Sequence, residues 1–163
     1  MSYDVYIKIE GIEGESSDAK HIGWIEVTSY GVAHSQNISS TASSAGGAST
    51  ERADFSDFTF SKLIDKASPL LLLACASGTH IDTIIVELYR AGGEKIKFME
   101  YKLTNCIICS VTAGSKGNKF FPTEHLNINY SKIEWAYTVQ SRQGGWATGK
   151  IAGGWNLEKN ARV

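Results

Sequence analysis

The chain has 163 residues, 42% of them hydrophobic and 20% charged, with only two prolines, Pro69 and Pro122. A chain of this size and composition is expected to fold as one domain over residues 1–163, which excludes a disordered or collagen-like polymer. Sixteen basic and seventeen acidic side chains leave a formal net charge of −1, so no global field draws the chain to nucleic acid or to anionic lipid, and recognition must rest on local shape and hydrogen bonding.

Met1–Asp4 carries no basic region followed by an apolar run, so no cleavable secretory signal is read there. Three cysteines, an odd number, suit free thiols in a reducing compartment. Synthesis and folding are expected in the cytoplasm.

Val5, Ile7 and Ile9 alternate with Tyr6, Lys8 and Glu10, which predicts a first strand with its aliphatic side chains on one face. After a turn-like stretch over 11–18, a β-prone run from Ile22 to about Gln36 carries Trp24, Ile25, Val27, Tyr30 and Val32, with Gly31 as a point of bending. Residues 37–51, NISSTASSAGGASTE, hold almost no large apolar side chain and predict a long loop, either mobile or engaged with another surface. Phe55, Phe58 and Phe60 predict a third strand ending near Lys62, with a change of phase between Phe55 and Phe58 that marks a bulge.

SPLLLLACASG, residues 68–78, predicts the helix. Ser68 suits the N-cap, Pro69 the first helical position and Gly78 the residue just past the end. Nine helical residues span only about 13 Å, less than half a bilayer core, so the segment cannot cross a membrane. Apolar nearly all round, it is expected to be wedged against the sheets, with Cys75 acting as a small unreactive hydrophobe.

The β pattern resumes at 81–89, turns at Ala91–Glu94 and returns over 95–103 as a hairpin. Cys106–Thr112 continues as strand, and residues 114–118 form a flexible loop. In the long run 126–140 the apolar positions shift from 126, 128 and 130 to 133, 135, 137 and 139. A bend near Ser131–Lys132 would cause this shift and let one strand serve two sheets. A last alternation runs through Ile151, Gly153, Trp155 and Leu157. Eight or so closely spaced strands and one helix predict a mainly β fold, a barrel or sandwich carrying that helix.

Chemical motifs are near misses. Cys106 and Cys109 have C-x-x-C spacing, but on a strand their sulfurs point to opposite faces and no further Cys or His pair completes a metal site. Gly144–Lys150 reads G-x-x-x-x-G-K, yet Ile151 stands where a Ser or Thr hydroxyl would hold magnesium. His21, His34, His80 and His125 are scattered and are expected at the surface or as caps. Ser77, His80 and Asp82 make no convincing triad without an oxyanion hole, and Cys75 with His80 is no better. No catalytic, cofactor-binding or metal-ligating residue is therefore expected.

The words DVYIKIEGIEGESSDAKH, IEVTSYG, IDKASPLLLLACASGTH, AGGEK, PTEHLNINYSKIEWAYTVQ and GWNLEKNARV, in this order from Asp4 to Val163, resemble the haemolysin-coregulated protein (Hcp) family of the bacterial type VI secretion system. The resemblance implies a β-barrel of two packed antiparallel sheets flanked by a helix. It implies hexameric rings stacked into a tube inside a contractile sheath, expelled with a spike protein and carrying small effectors in the lumen. The implied partners are thus other copies of the chain, the spike, the sheath and baseplate, and effectors, with export through the apparatus itself and no insertion into a membrane. A tail-tube protein of a phage-like contractile particle is the alternative.

Some members of that family carry a catalytic domain after the tube domain, but here the chain ends where the tube domain is expected to end, so no enzyme is expected. SYGVAHSQ lacks the paired tryptophans of the family pattern, and residues 37–51 and 142–150 match it in position alone. The family's loop at 37–51 reaches a neighbouring subunit, so deleting residues 39–49 is expected to weaken stacking more than folding.

Overall fold

The computed structural model describes residues 2–38, 50–115, 121–141 and 147–163. Strands β1 (Tyr3–Ile9), β2 (Ile25–Val27), β3 (Ser29–Gly31), β4 (His34–Ser35), β5 (Asp54–Phe55) and β6 (Phe58–Leu63) precede helix α1 (Ser68–Ser77). Strands β7 (His80–Arg90), β8 (Lys97–Gly114), β9 (Thr123–Gln140), β10 (Ala147–Asn156) and β11 (Ala161–Arg162) follow it. The mainly β class with one helix is as the sequence predicts. Three expected features reach outside the described residues: most of the 37–51 loop, residues 116–118 of the 114–118 loop, and residues 144–146 of the glycine-rich motif.

All described pairings are antiparallel, in the order β11-β10-β9-β8-β7-β1-β2, with β6 joined to both β9 and β3. The predicted run 22–36 is not one strand but three short ones, because its partner changes. Ile25–Val27 pair with β1 and Ser29–Gly31 with β6. At the changeover the Thr28 N–H donates to the Ser61 carbonyl at 2.8 Å. One short segment thus bridges the two ends of a strongly curled sheet, and the two packed layers are continuous with one another.

The bend read from β9 lies where its neighbour changes. Thr123–Ile128 pair with β6, whereas Lys132–Gln140 pair with β10, and β8 follows the other edge of β9 from Thr123 to Tyr137. Leu126, Ile128 and Tyr130 are buried, and the inward phase then jumps to Ile133. Across from Ser131, Asn105 of β8 sits at φ 58°, a left-handed conformation that asparagine tolerates better than most residues. The core lies between the layers, with Ile7, Ile25, Phe58, Phe60, Ile84, Leu103 and Ile128 almost wholly excluded from water.

Helix α1 departs from expectation at two points. Its N-cap is Ala67, and the Ser68 hydroxyl is used elsewhere, while Asp65 receives the Ala67 N–H at 2.9 Å. Only Ser68, Leu71 and Ala74 are buried, whereas Leu70, Leu72 and Leu73 are exposed. A helix lying on one sheet buries a single stripe, here at spacing three, whatever the composition of its outer side. The C-terminus is as predicted: Gly78 is left-handed at φ 62°, and its N–H and that of Thr79 reach the Cys75 and Ala74 carbonyls.

Candidate assembly surfaces

Among the described residues, none of the chemical candidates read from the sequence comes together with others into a reactive group. Ser77 Oγ donates to the Leu73 carbonyl and meets Thr79 Oγ1 at 2.6 Å, with no bond to His80. Cys106 is buried and Cys109 exposed, so their sulfurs diverge as expected, and all three cysteines are free. Burial pushes the Cys106 thiol up to about 12. Burial, then the Asp57 carboxylate accepting its S–H, pushes Cys109 up to about 11. Thr148–Ile151 of the phosphate-loop near miss are extended in β10, not at the start of a helix. Among the described residues no cluster of three metal-ligating side chains occurs, and no helix is long and apolar enough to cross a membrane.

Two polar clusters escaped the sequence reading. His21, expected at the surface or as a cap, is 1% exposed. Its ring lies parallel to Tyr6 at 4.2 Å, with Nδ1 at 2.7 Å from Asp18 and Nε2 at 2.8 Å from Glu87. The reason is that residues 11–24 fold back over the outer face of β1 and β7, making a small second core there. Hydrogen bonds from Lys95 and His21 hold the Asp18 carboxyl well below its ordinary range. Burial works to raise Glu87, but the His21 bond and Lys97 outweigh it and leave its carboxyl low.

The second cluster lies under the helix. Lys62 Nζ donates to Asp65 at 2.7 Å and Ser68 Oγ at 3.1 Å and pairs with Glu124 at 2.8 Å, while Ser68 Oγ donates to Glu124 at 2.9 Å. The word DKASP is thus the tie between the helix N-terminus and β6–β9.

Among the described residues, three open features stand out. The first is a stem formed by β4 and β5, extended by the Ile38–Thr50 bridge. The His34 ring lies tilted against Phe55 at 4.3 Å, Phe55 stacks on Trp155 at 6.4 Å, and Arg52 donates to the Leu157 carbonyl. This anchored ribbon carries the 39–49 segment, so the ends of the expected loop are paired chain.

The second surface is the outer edge of β10. Its inner edge pairs with β9 and Gly154–Asn156 bond the 161–163 segment, leaving 148–153 without a partner strand among the described residues. Ile151, in the last alternation read from the sequence, is 67% exposed on this strand at the sheet's end. The third is an open cleft of about 370 Å³ beside β2 and the end of β6, lined by Glu15, Glu26, Val27, Leu63, Ile64 and Phe121 among others.

The family described as "Type VI secretion system effector, Hcp" matches residues 6–137. Protein hcp1 of Pseudomonas aeruginosa is 31% identical over 164 residues, covering 100% of both chains. A solved structure titled as that of a type six secretion system protein superposes with a TM-score of 0.92 at 32% identity, covering 99% of this chain and 100% of the other. The crystal structure of Hcp1 from Salmonella typhimurium gives 0.78 at 29% identity, with 100% of each chain covered. Matched along its length in both sequence and fold, the chain belongs to the Hcp family of type VI secretion proteins.

Proposed function

We propose that residues 1–163 form one tube domain, a structural subunit of the type VI inner tube. Six copies close into a ring and rings stack inside the contractile sheath. The stack leaves the cell with the spike, and its lumen carries small effector proteins. The observation that carries this reading is the whole-length likeness, at a TM-score of 0.92, to a type VI secretion structure. The open edges support it, since a closed ring needs a heterologous interface made of two different surfaces of the same chain. Catalysis has no part in this role, and the high thiol pKa values of Cys106 and Cys109 agree with that.

Native mass spectrometry and negative-stain electron microscopy of the purified chain test the proposal. Six-membered rings with a central opening are expected, and a strictly monomeric chain at high concentration overturns it. Removing residues 39–49 is expected to leave rings intact and weaken their stacking, because the β4–β5 stem is held by its own bonds. A variant that stacks as the parent does removes the loop from the stacking contact. Because a phage-like tail tube would also give rings, neighbouring sheath and ATPase genes of the secretion type discriminate the two.

A further inference from the structure

Residues 11–24 join β1 to β2 and are bonded largely to themselves: the Gly14 N–H donates to the Gly23 carbonyl at 2.8 Å and the Gly23 N–H to that of Ser16 at 2.9 Å. The side chain that ties this segment to β7 is His21. Its two ring nitrogens each face a carboxylate oxygen, Asp18 of the segment at 2.7 Å and Glu87 of β7 at 2.8 Å, in a site where the histidine is 1% exposed. Both carboxyls titrate below the ordinary range, so at neutral pH both are ionised and only accept hydrogen bonds. A neutral imidazole carries one N–H, whereas filling both contacts takes two. The surroundings agree. Tyr6 of β1 lies parallel to the ring at 4.2 Å, and the rings of Tyr89 and Trp24 stand edge-on to it at 4.7 Å. Tyr89 Oη donates to Glu87 at 3.0 Å and so remains a neutral phenol. Lys95 pairs with Asp18 and Asp4, and Lys97 with Glu87 and Glu100. In this bonded network two ammoniums meet four carboxylates, and an imidazolium offsets part of the excess. Lys8 lies over the Trp24 ring at 5.9 Å, and Lys20 and Glu94 line the hollow beside Asp18 and Lys95.

We propose that His21 is an imidazolium in the folded chain and the catch of a pH-responsive cover, so that loss of one ring proton frees residues 11–24 from the outer face of β1 and β7. With one proton gone, a bare ring nitrogen faces a carboxylate oxygen away from water, an acceptor against an acceptor. Lifting of the segment relieves this by hydrating both groups, and it uncovers Tyr6 and Tyr89. Closing the cover takes up a proton wherever the histidine of the opened segment has already lost its own, above the ordinary value of about 6.5. The catch therefore holds fully near and just below about pH 6.5 and weakens as pH rises. Protonation of Asp18 and Glu87 ends it from the acid side, so the cover is closed over a window with two limits.

Long-range proton–nitrogen spectra of the full chain at about pH 7.5 read the ring directly. Both His21 ring nitrogens are expected to carry protons, and a bare nitrogen overturns the proposal. Hydrogen exchange, corrected for its intrinsic dependence on pH, reads the cover. Protection over residues 11–24 is expected to fall by up to about tenfold per pH unit between about pH 7 and 9, while that of β8 and β9 stays level. Glu87→Gln separates the catch from mere packing, because its amide can donate to a bare ring nitrogen; in this variant, folded by circular dichroism, the segment is expected to stay covered across the same range. Protection that does not change with pH in the parent, or a slope that persists unaltered in Glu87→Gln, overturns the catch. Where the variant fails to fold, the ring spectrum of the parent still decides.

Discussion

Lys62 and Glu124 stand opposite each other in the β6–β9 ladder, ammonium to carboxylate at 2.8 Å, with side chains 0% and 1% exposed. Burying a pair costs much of what its attraction returns, but burying one partner alone costs far more. Lys62→Met should therefore destabilise the chain by about 3–5 kcal/mol, as should Glu124→Leu. The double variant, leaving no lone charge opposite, should recover much of that loss. Urea denaturation of the four chains reads the cycle; a double variant as unstable as the sum of the singles would show that the pair is not coupled.

This pair also shows how far the sequence could be read. In β6, position 62 shares the inward face with Phe58 and Phe60; in β9, position 124 shares it with Leu126, Ile128 and Tyr130. Extended alternation puts both charges inside, but the sequence reading ended the third strand near Lys62 and began the long one at Leu126, so neither charge was placed in the core. Only the register, fixed by contacts distant in sequence, makes them partners. The bend at Ser131–Lys132 and the cap at Gly78 were legible because each leaves a local mark.

The outer leucines of α1 and the burial of His21 were not legible, since both depend on which other element comes to lie against them. The assembly surfaces were legible only as open edges in general. Their identity depends on where β10 ends the sheet and on what lines the cleft beside β2.

Acid should loosen the 11–24 segment before it melts the core. The Asp18 carboxyl is held down by its bonds to Lys95 and His21, and Glu87 is also low. A depressed carboxyl contributes stability above its unfolded value, about 3.9 for Asp, and that contribution is lost as pH falls through the folded value. Stability should thus decline from about pH 4 downward, and Asp18→Asn should be less stable than the parent at neutral pH with a shallower acid limb. Hydrogen exchange over residues 11–24 as pH is lowered checks it; equal slopes for parent and variant would remove Asp18 from the effect.

The thiols should differ in reactivity by environment. Cys106, buried and with its thiol pushed up to about 12, should label only on unfolding. Cys109 is exposed, but burial of its sulfur surroundings and the Asp57 carboxylate raise it to about 11, so it should react slowly at neutral pH and faster as pH climbs. Asp57→Asn removes the negative charge beside the thiol and should speed labelling at pH 8. Mass spectrometry of maleimide-treated protein gives the rates, and an unchanged rate in the variant would count against control by Asp57.

Neighbouring leucines of α1 should separate folding from surface chemistry. Leu71 is 0% exposed on the side facing β8, and Leu73, two residues on, is 62% exposed. Leu71→Ala removes packed methyl groups and leaves a cavity under the helix, at a cost of about 2–5 kcal/mol. Leu73→Ala takes away little that is buried in the single chain, and a surface change of this kind stays within about 0.5 kcal/mol. Urea midpoints at a concentration where the chain is monomeric should differ accordingly. Raising the concentration until rings form then gives Leu73 its own reading: destabilisation by Leu73→Ala that appears only in the assembled state places this helix face in a contact, whereas equal midpoints in both states leave it facing solvent there too.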